Sequence, residues 1–416
     1  MKTPDPRFPE SSRRPRVPGP LLLLVALLVP VLTASCADEV LAPGEAPADE
    51  LFERYVALGN SITAGFQSEG INAQTQVEAY PVLLAEQMNT PFPIPTLTSP
   101  GCPPPVINGL TRERLGGAGA PQCSLRGLPA PERIHNLAVP GAATLDLLSN
   151  QGQGTNANEL TTLILGGFTQ IQLAEALEPT FASVWIGNND VLGAALAGVA
   201  TEATVTDPAE LATNHAQVLD RLEDAGARGG VVIGVADVTL VPNLVPGAAF
   251  WAAEAEGALP GTFQVSDACA PEAAGGQGEA VLVPFAWGFG ELLARAEAGQ
   301  EATLDCTDET RVLVPEEVDF LQETVAAYNE ALAADAQARG WAWFDPNPLF
   351  LELADQGLVP PFPMVSDPEA LFGPLFSLDG VHPSGAAHRL VANGVVDAVN
   401  ATYGTNLEPV EPPALP

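Results

Sequence analysis

Tyr55-Val56-Ala57-Leu58-Gly59-Asn60-Ser61-Ile62-Thr63-Ala64-Gly65 runs from a short apolar stretch through a glycine to a serine that opens a helical segment. An apolar run cut off by glycine reads as a buried strand handing over to a helix. The pattern returns at residues 133–139 (before Pro140-Gly141), 181–186, 230–236 and 341–344, which makes five candidate strands. Helices fall between them. Asp207-Pro208-Ala209-Glu210 has the form of a capping box with proline at the first helical position, opening a helix to about Ala225. Pro315 opens another, with Val318, Phe320, Leu321, Val325 and Tyr328 at near-helical spacing. Ser384 caps a last one, whose Leu390, Val391, Val395 and Val396 face inward before Gly404 ends it. Apolar strands alternating with amphipathic helices predict an α/β chain with a parallel sheet covered on both faces. In such sheets the site lies beyond the carboxyl ends of the strands.

Four short motifs stand at those strand ends: Gly59-Asn60-Ser61-Ile62, residues 136–141, Gly187-Asn188-Asn189-Asp190, and Asp379-Gly380-Val381-His382-Pro383 before the last helix. A serine hydroxyl is a weak nucleophile until a base within hydrogen-bond reach takes its proton. His382 can be that base if a carboxylate fixes its tautomer, and Asp379 is one tight turn away. Pro383 biases His382 toward an extended conformation. A tetrahedral intermediate needs donors, and the backbone N–H groups of Ser61 and Gly141 and the Asn189 amide are the candidates. Each signal has a plainer reading: a turn at Gly59, a packing glycine at Gly141, a helix cap at Asn189-Asp190. Of the four histidines, His135 falls in a strand, His215 inside a helix and His388 one turn into the last helix. Only His382 has an aspartate at triad-like spacing.

Taken together and in order, the four motifs resemble the sequence blocks of the SGNH hydrolases, the GDSL esterases and lipases. The similarity runs from about Tyr55 to Gly404, and Ser377-Leu378-Asp379-Gly380-Val381-His382-Pro383 looks like bacterial lipoprotein members. It implies Ser61 as nucleophile, Asp379 and His382 as acid and base, and Ser61, Gly141 and Asn189 as oxyanion donors. It also implies a flavodoxin-like, three-layer α/β/α sandwich with five parallel strands. Asn60 stands where the family has aspartate, outside the triad. Residues 67–130 and 240–314 are two long Gly/Pro-rich insertions that make this chain larger than compact members.

The first 35 residues read as a signal peptide, with Arg13, Arg14 and Arg16 ahead of an apolar run from Leu21 to Leu32. Leu32-Thr33-Ala34-Ser35-Cys36 resembles a bacterial lipobox, with Cys36 as the lipidated residue; an ordinary cleavage site nearby is the alternative. Residues 36–50 then form a tether rich in Ala, Pro and acid, residues 51–404 the hydrolase domain, and residues 405–416 a disordered tail. Ala37 after the cysteine, rather than aspartate, points by resemblance to the outer membrane. The four remaining cysteines, Cys102, Cys123, Cys269 and Cys306, allow three pairings. Cys102 with Cys123 and Cys269 with Cys306 is favoured, because each pair brackets one Gly/Pro-rich segment and export means an oxidising compartment.

The chain carries 16 basic and 51 acidic residues, and removal of residues 1–35 leaves 11 and 49, a net of -38. Such a surface excludes nucleic acid as a partner and repels anionic membranes, so membrane contact is expected only through the lipid. No phosphate-loop, dinucleotide or zinc motif occurs, and no cofactor or metal is expected. The acidic stretch 305–309 reads as solvated surface rather than a calcium site. The expected function is hydrolysis of carboxylic esters through an acyl-enzyme on Ser61, acting on a small-molecule, lipid or carbohydrate ester. The alternatives are a carbohydrate O-deacetylase and, from another class, a non-catalytic surface-binding lipoprotein. Phe250, Trp251, Phe263, Phe285, Trp287 and Phe289 lie densely in the second insertion of a chain only 6% aromatic. They either line an acyl pocket or pack a satellite core.

Overall fold

Strand β1 (Tyr55–Gly59) pairs in parallel with β2 (Phe181–Trp185), β2 with β3 (Gly229–Ile233), and β3 with β4 (Ala342–Phe344). This is a computed structural model, and it describes residues 48–415 apart from Ala120 and Leu125. The signal segment, Cys36 and the tether to residue 47 lie outside the described residues.

Every residue of β1, β2 and β3 is buried, as the unbroken apolar runs require. Their side chains alternate between two cores, because strand residues point to opposite faces in turn. Val56, Leu58, Ala182, Val184 and Val232 enter one core, with Leu211, Val218 and Leu219 of helix Pro208–Asp224 and Leu321, Val325 and Tyr328 of helix Pro315–Arg339. Tyr55, Ala57, Phe181, Trp185, Val231 and Ile233 enter the other, with Leu83 and Leu84 of helix Tyr80–Gln87 and Val391, Val395 and Val396 of helix Gly385–Tyr403. The result is the three-layer α/β/α arrangement. Its helix starts follow the sequence signals: Asp207 Oδ1 accepts the N–H groups of Ala209 and Glu210, and Ser384 Oγ accepts that of Ala387.

Two expectations need correction. The sheet has four strands, not five. Residues 133–139 run beside β1 as an extended edge, with Ala57 N–H donating to His135 and Leu137 N–H to Ala57, but only the Ala57–Asn136 bridge forms. Val139 N–H donates further on to the Gly59 carbonyl, while the Asn136 side chain takes the Ala138 N–H through Oδ1 and bonds the Thr63 carbonyl through Nδ2. The segment after Gly404 is not a free tail. Leu407 and Val410 are buried against the second core, and their N–H groups donate to Asn400 and Asn393 of the last helix.

Each insertion is closed by its own disulfide, Cys102–Cys123 and Cys269–Cys306. The second contains two short ribbons, Leu244–Pro246 antiparallel to Leu282–Pro284 and Phe263–Val265 parallel to Ala302–Leu304. Phe250, Phe263 and Phe289 pack there with both cysteines in a core of their own, with Trp251, Phe285 and Trp287 partly buried against it. No helix among the described residues is long and apolar enough to cross a membrane.

Candidate active site

The turn from Asp379 to His382 is built by one carboxylate oxygen. Asp379 Oδ1 accepts the backbone N–H groups of Val381 and His382 at 2.9 and 2.8 Å. Gly380 sits at φ +67°, and a Cβ there would fall 2.8 Å from the Phe372 ring, so the turn requires glycine. The turn is tied from outside as well. Ser377 N–H donates to the His382 carbonyl, and Asn243 of the second insertion donates through Nδ2 to the Asp379 carbonyl at 2.7 Å.

The other carboxylate oxygen faces the ring. His382 Nδ1 lies 2.9 Å from Asp379 Oδ2, and His382 Nε2 lies 2.8 Å from Ser61 Oγ. Burial pushes the Asp379 carboxyl up, but the adjacent His382 charge, the ring hydrogen bond and the N–H groups of His382 and Glu69 outweigh it. The carboxyl is held well below the usual carboxylate range, so it stays ionised beside the imidazole.

Ser61 begins a single helical turn, Ser61–Ala64, capped by Asn60 Oδ1 on the Ile62 N–H. A helix this short has little dipole, so what the position offers an anion is the backbone N–H itself. Asn189 follows β2, and its Nδ2 donates to the Ala142 carbonyl at 2.9 Å, which fixes the amide. Asn60, Ser61, Asn188, Asn189 and His382 line one crevice of about 30 Å3. Gly141 is not among the residues lining that crevice; it holds φ +87° next to the Ala142 carbonyl that Asn189 grips. Asp190 faces away, accepting the N–H and Oγ1–H of Thr144, and burial pushes its carboxyl up to about 6.

The remaining histidines have other partners. His215 faces Asp335 between two helices, His135 bonds the Tyr55 carbonyl, and His388 lies buried under Tyr80. Among the described residues no group of three or more His, Cys, Asp and Glu is placed to hold a metal ion.

Sequence reasoning missed one part of the site. Ser68 and Glu69 both occupy left-handed backbone (φ 54° and 53°), and Glu69 N–H donates to Asp379 Oδ2 at 2.8 Å. Ser68 is bonded twice to the segment before the turn: its N–H donates to Ser377 Oγ, and its Oγ accepts the Leu378 N–H. Arg114 secures the turn through the Glu69 carbonyl and carboxylate, and Arg112 pairs with the same carboxylate. Gly70 marks a turn here, but the positive φ falls on Ser68 and Glu69, residue types that do not signal it. Of the two roles open to the aromatic cluster of the second insertion, the satellite core is the one it takes. None of its six rings lines the Ser61 crevice, and that insertion reaches it only through Val241.

A serine hydroxyl bonded to an imidazole, itself bonded to a buried aspartate beyond the ends of a parallel sheet, is the arrangement of α/β serine hydrolases. The chain belongs to the GDSL-like lipase/acylhydrolase family, which matches residues 55–395, and it is a hydrolase acting on ester bonds. No curated protein sequence matches it. Similar solved structures include the acetylxylan esterase Axe2 of Geobacillus stearothermophilus, at 11% identity and a TM-score of 0.36, over 83% of this chain and 94% of that one. LAE5, an α/β hydrolase from the metagenome of Lake Arreo, Spain, is similar at 12% identity and TM-score 0.38, over 86% of this chain and 99% of that one. TesA matches at 12% identity and TM-score 0.34, over 84% and 98%.

Proposed function

We propose that the protein is a serine esterase that hydrolyses carboxylic esters through an acyl-enzyme on Ser61. The observation that carries this reading is the continuous alignment Ser61 Oγ–His382 Nε2, 2.8 Å, and His382 Nδ1–Asp379 Oδ2, 2.9 Å. His382 takes the Ser61 proton as Oγ attacks the ester carbonyl. The oxyanion is met by the Ser61 N–H and the Asn189 amide, with the Gly141 N–H as third donor. His382 then protonates the departing alcohol, takes a proton from water, and returns it to Ser61 as the acid leaves. Asp379 keeps Nδ1 protonated and balances the imidazolium throughout.

A fluorophosphonate probe tests this directly. The wild type should be labelled at Ser61 and lose aryl-ester turnover. Ser61→Ala should resist the label and fall by about 10⁴–10⁶ in rate while remaining folded. Unchanged turnover in the folded variant would end the serine mechanism.

For location, the reading is an exported lipoprotein held by acyl chains on Cys36 and carried by the tether that follows. Its support is the charged start, the apolar run and the small residues before Cys36.

A further inference from the structure

We propose that the acyl group this esterase accepts is a short alkyl chain, butyryl to hexanoyl, seated in an apolar cavity beside Ser61. This rests on the serine-esterase reading above and adds the substrate class.

The cavity measures about 80 Å3 and is lined by Ile62, Trp185, Phe350, Leu353, Phe376 and Val391, among others. It shares Ile62, Ala236, Val241 and Val381 with the Ser61 crevice, so the two are adjoining spaces with common walls. Its two hydrophilic lining residues, Asp237 and Asn347, are turned to other work. Asn347 Oδ1 accepts the Asp237 N–H and its Nδ2 donates to the Val235 carbonyl, while Asp237 Oδ1 accepts both donors of Thr239. The rest of the lining is carbon apart from the unpartnered Trp185 Nε1, so a group rich in hydroxyls would lose more water contacts there than it regains, whereas an alkyl chain loses nothing.

Occupancy by the acyl side follows from the reaction. The acyl group stays bonded to Ser61 through both half-reactions, but the alcohol must leave between them, so a walled pocket suits the former. Size sets the length. At about 80 Å3 the cavity suits a short chain rather than a long one. A neighbouring groove of about 460 Å3 shares Val241, Phe350 and Val359 with the cavity, giving a hexanoyl end room to emerge.

The test is kcat/KM for p-nitrophenyl esters from acetyl to decanoyl, run beside phosphonate labelling of Ser61. About fourfold per methylene is expected up to butyryl or hexanoyl, then a plateau or decline. Leu353→Trp narrows the cavity and should lower the ratio of hexanoyl to acetyl kcat/KM at least tenfold. Its helix, Asn347–Asp355, contains no fully buried residue, so the variant should fold. A labelled enzyme that prefers acetyl, as a carbohydrate deacetylase would, overturns the pocket and leaves the serine mechanism standing. Chain-length dependence found instead in acetate esters of longer alcohols overturns the acyl assignment. No labelling and no turnover overturns both.

Discussion

The backbone N–H of Glu69 donates to Asp379 Oδ2 at 2.8 Å, joining residues 310 positions apart. The carboxylate oxygen that orients His382 is therefore shared with a turn at the root of the first insertion. That turn costs conformational energy, on the order of 1 kcal/mol or more for each non-glycine residue in left-handed backbone. It persists because both ends are pinned, by Ser377 on one side and Arg114 on the other.

Arg114→Ala should therefore lower kcat by roughly tenfold, since a small loss of alignment in the triad is expensive, with KM for a small ester unchanged. Thermal stability should change little, because both partners are half-exposed, at 37% and 44%. Steady-state kinetics with a melting curve checks this. A parallel fall in kcat and melting temperature would mean the arginine serves only the fold.

Asn189→Ala should cost about 10²–10³ in kcat, as for a single oxyanion donor. If Asn189 serves only to hold the Ala142 carbonyl, the variant will lose stability and keep its turnover per folded molecule. Denaturant melts beside the rates separate the two.

Asp190 predicts a pH effect on stability. Its folded value is raised to about 6, above the ordinary aspartate value of about 4, so between these values the folded state holds a proton that the unfolded chain has released. This contribution is largest below pH 4 and is lost as pH rises through 6. Both Thr144 bonds reach one oxygen, so Asp190→Asn can keep them without the charge. The stability of wild type minus variant should fall by about 2–3 kcal/mol from pH 4 to pH 7. Urea melts at the two pH values measure it, and a pH-independent difference would refute it.

Cys36→Ser should release the protein from membranes. Fractionation with mass spectrometry of the N-terminal peptide checks this, and a variant that still sediments with membranes would refute the lipid anchor.

Much of the site was legible because its chemistry sits in short local motifs. The Asp379 turn spans four residues, and its oxygen bonds only positions two and three residues on, which spacing alone suggests. Four strands were legible because burial on both faces demands unbroken apolar runs. The fifth misled because residues 133–139 do run beside β1 and bond its backbone, yet only the Ala57–Asn136 pair forms a bridge, a difference no hydrophobic pattern reveals. The tail misled for a related reason: Leu407 and Val410 are too few to read as an element, yet two asparagines on the last helix receive them. The insertion aromatics were legible as a cluster but not as to what they cover. Phe350 and Phe376, which do line the cavity beside Ser61, stand in aromatic stretches of the core fold, with Trp341, Trp343 and Phe344 before one and Phe372 before the other, and nothing in those stretches separates rings that pack from rings that line a cavity.

The Cys102–Cys123 bridge closes the very loop that carries Arg112 and Arg114. Opening that bridge would free the loop that holds both arginines, so reduction is expected to loosen the support under Asp379. A chain with those thiols free is then expected to keep its sheet and to turn over ester more slowly. The disulfide then acts less as a rivet for stability than as a licence to work, issued only where thiols are oxidised.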